Sequence, residues 1–263
     1  SFALIYAENF SWSLTYQLMA FLMALNILVT VYNSSEQSNP DLATLNYKQS
    51  LLEPTKDFLE RFGLKIASIL ILIIATYRLT DIVMGPMANP FYIDMGYSLS
   101  EIGYVVKIVA LVATIIGVFI GGIFVKRLGL YKSLLIGAFL VMLTNLSFSY
   151  ASINEKNLVL LASIVASDSL AAGIVGTVNI TFLTSLVSSK YTGFQYALLT
   201  SLMAFLGKLF GGFSGVFVES FQNLYGFSYG WMSFYIFTSC LAIPSMLMIY
   251  FNKSIFMQTN ANK

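Results

Sequence analysis

Residues Gly121–Lys132 read GGIFVKRLGLYK, with three basic residues and three glycines, and they cover the end of one apolar run and the short break before the next. The run before the break is Ile102–Val125 and the run after it is Leu134–Ala151. A membrane helix needs about 20 mostly apolar residues to cross about 30 Å of hydrocarbon. The pattern therefore predicts a basic loop that joins two membrane-spanning helices.

The composition extends this interpretation to the whole chain. Of its 263 residues 57% are hydrophobic and only 10% are charged, whereas soluble domains carry about 25% charged residues. Polar surface is too scarce to cover a globule in water, so we predict an all-α polytopic membrane protein. The fifth span is about ten residues too long, which indicates a tilt or a bend near Gly173 and Gly176. The seven predicted spans are Trp12–Tyr32, Leu64–Gly85, Ile102–Val125, Leu134–Ala151, Leu158–Val187, Phe194–Val218 and Trp231–Phe251.

The long polar stretch Asn33–Gly63 separates the first span from the rest. Its second part alternates charged and apolar residues, which is typical of helical pieces at a membrane surface, but a solvated linker fits equally well. Basic loop residues fix the orientation, because they accumulate on the cytoplasmic side. The side opposite the linker holds Lys156 alone. The linker side, which we therefore predict to be cytoplasmic, holds Lys48, Lys56, Arg61, Lys65, Lys126, Arg127, Lys132, Lys190, Lys253 and Lys263.

Five charged residues fall inside the predicted spans: Arg78, Asp81, Lys107, Asp168 and Lys208. A charge in lipid is costly, so each should face a partner or a water-filled cavity. Counted from the span ends, Asp81 and Lys107 share a depth, and this predicts a salt bridge between them. Asp168 and Lys208 share a second depth nearer the midplane. Arg78 lies on the same helix face as Asp81, three residues earlier.

These charges favour transport, because membrane transporters place such groups at sites near the midplane. With no histidine in the chain, proton coupling would have to use a carboxylate, and Asp168 and Asp81 are the candidates. Arg78, Lys107 and Lys208 are candidates for holding an anionic substrate. The alternative is that the charges form buried ion pairs that only fix the helix register.

Other function classes find little support. The absence of histidine and the single Cys240 leave no expected metal site or cofactor, and they argue against an intramembrane enzyme. A receptor or a structural membrane protein remains a rival class. A net charge of +2 is too small to indicate a nucleic-acid partner. Glycines spaced four apart, at Gly117 and Gly121 and again at Gly207, Gly211 and Gly215, predict faces where helices pack closely.

The loop Gly121–Lys132 resembles the glycine-rich basic loop that joins the second and third helices of each major facilitator half. The count of spans then makes the first one helix six, and Asn33–Gly63 falls where the superfamily has its central linker. The resemblance implies residues 1–32 as the last helix of the N-terminal half, 33–63 as the cytoplasmic linker, 64–251 as a C-terminal six-helix bundle and 252–263 as a cytoplasmic tail. The loop residues expected to take part in conformational change are Gly122, Lys126, Arg127, Gly129 and Lys132.

Within the superfamily the chain resembles the AmpG-type muropeptide permeases almost from end to end. Asp168 stands where the family has a glutamate, Arg78 replaces a lysine, and the stretch from Glu219 to Trp231 is longer. Gln195 lies in a matching segment and joins the substrate-binding candidates. The matching segments are Pro54–Arg61, Tyr77–Asp81, Glu101–Lys107, Ala113–Gly117, Gln195–Ser201, Phe217–Glu219 and Trp231–Phe237.

This resemblance implies a symporter of the bacterial inner membrane that uses the proton gradient to import anhydro-muropeptides. Its expected partners are that anionic substrate, protons, membrane lipid and an N-terminal half that the sequence does not contain. Eukaryotic acetyl-CoA transporters are related proteins with anionic cargo, so transport of another organic anion is the nearest alternative.

Overall fold

The computed structural model describes residues 11–33 and 47–256, and the regular structure within them is entirely helical, as predicted. The chain divides into two compact units, Ser1–Leu52 and Glu53–Lys263. The first unit contains helix α1, Trp12–Asn33, a 22-residue apolar helix that matches the first predicted span. Most of the predicted C-terminal tail and the first part of the predicted linker lie outside the described residues.

The remaining helices follow in chain order. A π-helix, Ile102–Val109, leads directly into α5. The labelled helices are α2 (Tyr47–Tyr77), α3 (Leu79–Asp94), α4 (Leu99–Glu101), α5 (Ala110–Ala151), α6 (Leu158–Leu186), α7 (Thr192–Gly211), α8 (Ser214–Tyr225), α9 (Phe227–Cys240) and α10 (Ala242–Phe251).

Within the described residues, six continuous helical segments are long and apolar enough to cross a membrane, where the sequence predicts seven spans. The difference is one segment, Leu99–Ala151, which contains two of the predicted spans. Helix α5 alone has 42 residues, about 63 Å of helix for about 30 Å of hydrocarbon. Gly129 interrupts it with φ 77° and ψ 164°, a conformation that glycine adopts without steric cost.

The chain reverses direction at Gly129. A Cβ atom at Gly121, before the break, would lie 3.0 Å from Thr177 Cβ, and one at Gly137, after it, would lie 3.1 Å from Val175 Cγ2. Gly121 and Gly137 would be about 24 Å apart on a straight helix, yet both touch the same turn of α6. The two legs of α5 therefore lie side by side, and the basic loop of the sequence is reduced to a turn between them.

A second glycine break, at Gly63 with φ 71°, divides α2. Its first leg covers the second part of the predicted linker, and the side chain of Phe58 is buried in the apolar cluster of the bundle. The helical interpretation of that part is thus confirmed from Tyr47 onward, while its place at a membrane surface stays a prediction. The following span does not end at Gly85 as predicted. It continues as α3 to Asp94, through two prolines, which membrane helices tolerate.

Two apolar clusters fill the bundle. One contains Leu70, Ile74, Leu134 and Phe182 near the Gly63 and Gly129 turns, and we call this end the linker end. The other contains aromatic side chains at the far end, including Phe91, Phe148, Trp231 and Tyr235. Between the clusters, α3 and the residue before it, the second leg of α5, α6 and α9 contribute polar side chains. This polar layer consists of Arg78, Asp81, Thr144, Asn145, Asp168, Thr238 and Ser239.

Four of the five glycines predicted to form close helix contacts do so, namely Gly117, Gly121, Gly207 and Gly211, whereas a Cβ atom at Gly215 would meet only Met87 Cε at 4.0 Å. A Cβ atom at Gly117 would collide with the carbonyl of Leu170, and one at Gly211 would lie 2.9 Å from Ile82 O. Helix α6 is continuous from Leu158 to Leu186, and its tilt or bend near Gly173 and Gly176 stays a prediction. Gly173 packs against the carbonyl of Thr114.

Candidate functional site

The first charged group of the polar layer is an ion pair at a helix break. Helix α2 ends at Tyr77 and α3 begins at Leu79, with Arg78 between them at φ −104°. The Nη2 of Arg78 donates a hydrogen bond of 3.1 Å to Asp81 Oδ2. Their side chains keep 29% and 19% of their exposure. Asp81 thus already has a cation beside it, three residues earlier in the chain.

The second charged group is Asp168, in the middle of α6. Its Oδ1 accepts a hydrogen bond of 3.1 Å from Thr144 Oγ1, on the second leg of α5. None of the ion pairs found in the described residues includes Asp168. The residue as a whole is half-buried. Asp81 lies within Coulomb range of it.

Neutral groups close the layer on the α9 side. Thr238 donates a hydrogen bond of 2.8 Å to Asn145 Oδ1, and Ser239 donates one of 2.9 Å to Met142 O. All three polar side chains are buried. Tyr235, one turn before Ser239, has a buried hydroxyl with no hydrogen-bond partner among the described residues.

Chemically, the layer offers one carboxylate paired with a cation and one carboxylate bonded only to a neutral hydroxyl. An unpaired, half-buried carboxylate can gain and lose a proton with fewer rearrangements than one held by a guanidinium, since a guanidinium only donates hydrogen bonds. The guanidinium, in turn, has further donors for an anion. The layer can therefore separate proton exchange from anion binding.

The depth argument for pairing Asp81 with Lys107 is corrected, and the cation that the structure shows beside Asp81 is Arg78; a contact with the Lys107 side chain stays a prediction. The depth estimate assumed that the span ended at Gly85, but α3 continues to Asp94, which places Asp81 about 13 residues from that end. Lys107 lies in the π-helix near the start of its own span, and its side chain lies outside the described residues. The two residues therefore do not share a depth.

The predicted relation between Asp168 and Lys208 also changes. Its depth estimate placed the span end at Val218, whereas helix continues through α8 to Tyr225. Lys208 is exposed on α7, and the ion pairs of the described chain do not include it. The position of Asp168, about ten residues into α6, is as predicted.

Gln195, a predicted substrate-binding residue, lies at the linker end, in the first turn of α7. Its Nε2 donates hydrogen bonds of 2.8 Å to Pro54 O and to Asp57 Oδ2. Its Oε1 accepts bonds from Arg61 Nη2 at 3.0 Å and from Ser188 N at 2.7 Å. An amide has two donors and about two acceptor positions, so protein groups satisfy all of them. Gln195 thus connects the first leg of α2, which we call the linker helix, to the turn between α6 and α7.

The predicted loop residues surround the reversal at Gly129. Lys126, Arg127 and Lys132 are exposed, and the space around Gly122 is open. Their part in conformational change stays a prediction. Sequence reasoning missed Thr144, the hydrogen-bond partner of Asp168. The sequence feature that could have pointed to Thr144 is the pair of polar residues Thr144 and Asn145 inside the apolar run Leu134–Ala151.

Comparison with known proteins agrees with this architecture. The sequence profile of the Major Facilitator Superfamily matches residues 1–212. The chain belongs to the major facilitator superfamily. The described residues of this facilitator contain six helical segments that are long and apolar enough to cross a membrane. This agrees with a multi-pass membrane protein of that family.

Individual relatives of this facilitator confirm the resemblance to AmpG-type permeases. The anhydromuropeptide permease of Escherichia coli K12 is 29% identical over 253 residues, 95% of this chain and 49% of that protein. A Rickettsia felis protein named AmpG 4 is 28% identical over 250 residues, 93% of this chain and 58% of that protein. A Rickettsia prowazekii protein named AmpG 1 is 35% identical over 182 residues, 69% of this chain and 39% of that protein. The chain spans about half the length of the curated relatives it matches.

Proposed function

We propose that the whole protein is a proton-coupled symporter that imports anhydro-muropeptides across the bacterial inner membrane. In this proposal residues 1–32 form helix six, 33–63 the cytoplasmic linker, 64–251 the C-terminal bundle and 252–263 the cytoplasmic tail. The N-terminal half would supply the opposing bundle, since facilitator sites lie between two repeats. The substrate class comes from the name of the Escherichia coli relative.

Asp168 is the proposed site of proton coupling. The supporting observation is that its carboxylate makes a hydrogen bond to Thr144 but no ion pair within the described chain. A coupling carboxylate must alternate between charged and neutral forms, and a permanent cationic partner would oppose the neutral form. Asp81, which Arg78 already neutralises, is the second candidate and the weaker one.

Arg78 is the proposed contact for the anionic substrate. Its Nε is buried and has no hydrogen-bond partner in the described part of the chain. An unsatisfied buried donor is costly, and an anionic ligand near Arg78 would use the remaining donors of the guanidinium. Lys107 and Lys208 stay proposed contacts for the same substrate, from the π-helix and α7. Gln195 is left out of this group, because its amide is already fully bonded.

The test is uptake of labelled anhydro-muropeptide by proteoliposomes that contain the full-length protein. We expect accumulation when a proton gradient is present and only equilibration when it is collapsed. Asp168→Asn fixes the neutral form, so it should abolish accumulation while substrate exchange continues. Arg78→Gln should instead raise the substrate concentration needed for half-maximal uptake. Accumulation by Asp168→Asn at the parent level would refute the coupling role.

A second arm separates the two substrate classes. Excess unlabelled acetyl-CoA should leave muropeptide uptake unchanged if the cargo is a muropeptide. Uptake of labelled acetyl-CoA, with no uptake of muropeptide, would replace the proposed substrate by the other anion. The absence of uptake of both anions by a folded protein would favour a receptor.

The orientation has its own test. Single cysteines at Ser189 and Asn154, in a protein whose Cys240 is replaced by serine, mark the linker end and the far end. We expect a membrane-impermeant thiol reagent added outside whole spheroplasts to label Asn154→Cys and not Ser189→Cys. The reverse labelling would place the linker outside.

A further inference from the structure

The hydroxyl of Thr144 has two acceptors and one hydrogen. Its Oγ1 lies 3.1 Å from Val141 O, one turn earlier in α5, and 3.1 Å from Asp168 Oδ1 on α6. A threonine hydroxyl donates one hydrogen bond and accepts up to two. It therefore cannot donate to both oxygens at once, so the two contacts describe two alternative arrangements of protons.

The charge of Asp168 decides between them. When the carboxylate is ionised it can only accept, so Thr144 donates to Asp168 Oδ1. When the carboxyl group is protonated it can donate its own hydrogen to Thr144 Oγ1, and the threonine hydrogen turns to Val141 O. The two arrangements differ by one proton on Asp168 Oδ1 and by one rotation of the Thr144 hydroxyl hydrogen, and neither requires the oxygen atoms to move apart.

The carbonyl oxygen of Val141 has a side-chain hydrogen-bond donor in both arrangements. Asn145 Nδ2 donates to this oxygen at 3.0 Å, so the carbonyl keeps a donor when the hydroxyl of Thr144 turns to Asp168. Val141 O, Thr144 Oγ1 and Asp168 Oδ1 therefore each keep a hydrogen-bond partner in either arrangement. This is the condition under which a buried network is stable, because an orphaned buried group costs about 1–3 kcal/mol.

We propose that Thr144 is a positioning residue that keeps Asp168 hydrogen-bonded in both of its protonation states. Asp81 lacks this property, since Arg78 has no acceptor and fits only the ionised carboxylate. The proposal rests on the proposed function, in which Asp168 carries the coupling proton, and it adds the group that makes that alternation possible inside the bundle.

Other titratable groups also face Asp168 and act on it from neighbouring helices. Asp81 and Tyr92 come from α3, and Tyr235 comes from α9, each within Coulomb range. The π-helix carries Lys107, and α7 carries the exposed Lys208. A change at Thr144 must be measured against this background, so the assay needs a signal that belongs to the Asp168 carboxyl group itself.

Infrared difference spectroscopy of the full-length protein in proteoliposomes supplies such a signal. The C=O stretch of protonated Asp168 is the band that appears on acidification and is absent in Asp168→Asn. We expect Thr144→Val to move this band to higher frequency, because the carboxyl group loses its hydrogen-bond partner. The conservative Thr144→Ser should restore the parent frequency. Thr184→Val is the matched control, because Thr184 is exposed and bonds only to backbone carbonyls of α6.

Transport supplies the second measurement. Thr144→Val should slow proton-driven uptake by about tenfold, the loss expected from one hydrogen bond to a charged group, and Thr144→Ser should recover most of it. If Thr144→Val does not reach the membrane in folded form, Thr144→Ala serves for both measurements.

The outcomes distinguish this inference from the proposed function. A band whose frequency and titration are the same in Thr144→Val as in the parent overturns the role of Thr144, and so does an Asp168 that never becomes protonated. A band that shifts as expected, in a protein whose uptake ignores the proton gradient, supports the hydrogen bond and refutes proton coupling.

Discussion

Replacing Gln195 with alanine would remove four hydrogen bonds that join three segments of the bundle. The side-chain amide of Gln195 is hydrogen-bonded to Pro54 O and Asp57 on the linker helix and to Arg61 one turn later. It is also hydrogen-bonded to Ser188 N in the turn between α6 and α7. All four distances lie between 2.7 and 3.0 Å. The residue itself is only 2% exposed, so water cannot readily take its place.

The size of the loss follows from the kinds of bond. Two bonds are to neutral backbone groups, worth about 1 kcal/mol each, and two are to charged groups, worth about 1.5–3 kcal/mol each. The side chains of Arg61 and Asp57 remain 33% and 28% exposed, and they stay bonded to each other, so solvent and this ion pair offset part of the loss. We expect Gln195→Ala to lower the free energy of unfolding by about 2–4 kcal/mol.

The assay is thermal unfolding of the full-length protein in detergent. Gln222→Ala is the matched control, because it deletes the same atoms where Nε2 has no hydrogen-bond partner in the described chain. Gln195→Glu keeps the shape but loses both donors and places a carboxylate beside Asp57, so it should destabilise the protein as well. If Gln195→Ala melts within about a degree of Gln222→Ala, the network does not stabilise the linker helix.

Two other expectations concern the packing and the ion pair. Gly117→Ala should reduce the yield of folded protein sharply, because the new methyl group collides with the carbonyl of Leu170, whereas Gly122→Ala, which points into open space, should leave the yield unchanged. Arg78→Gln or Asp81→Asn alone should destabilise the bundle by up to about 3–5 kcal/mol, less to the extent that solvent reaches the pair, and the double variant should recover part of that loss. Additive losses in the double variant would show that the pair is not coupled.

The fold was predictable because its signals are local. Apolar runs, basic loop residues and glycine spacing indicated a helical membrane protein of the facilitator type, and the close contacts of Gly117 and Gly121 are as predicted. Gly63 is the last residue of the predicted linker and Gly129 lies within the predicted loop, so both fall near predicted span ends. The sequence could not reveal that Gly129 alone, rather than a loop, would turn the chain.

The site was less predictable because it depends on depth. The predicted span ended at Gly85 whereas the helix ends at Asp94, and this error of about nine residues moved Asp81 away from its true level. Pairing by depth then selected Lys107, when Arg78 was the partner three residues away. The role of Thr144 was not predicted for another reason. A lone hydroxyl in an apolar helix usually hydrogen-bonds to the backbone of its own helix. Only the position of α6 shows that Asp168 also contacts this hydroxyl.

The reversal at Gly129 has a consequence for biogenesis. With a turn in place of a loop, the two legs of α5 have no free connecting segment, so we expect the first leg to settle in the bilayer together with the second. Lys126, Arg127 and Lys132 lie beside the turn, and these charges resist passage through the membrane. We therefore expect the ribosome to deliver the two legs to the insertion machinery as one hairpin, with its basic tip held on the side of synthesis.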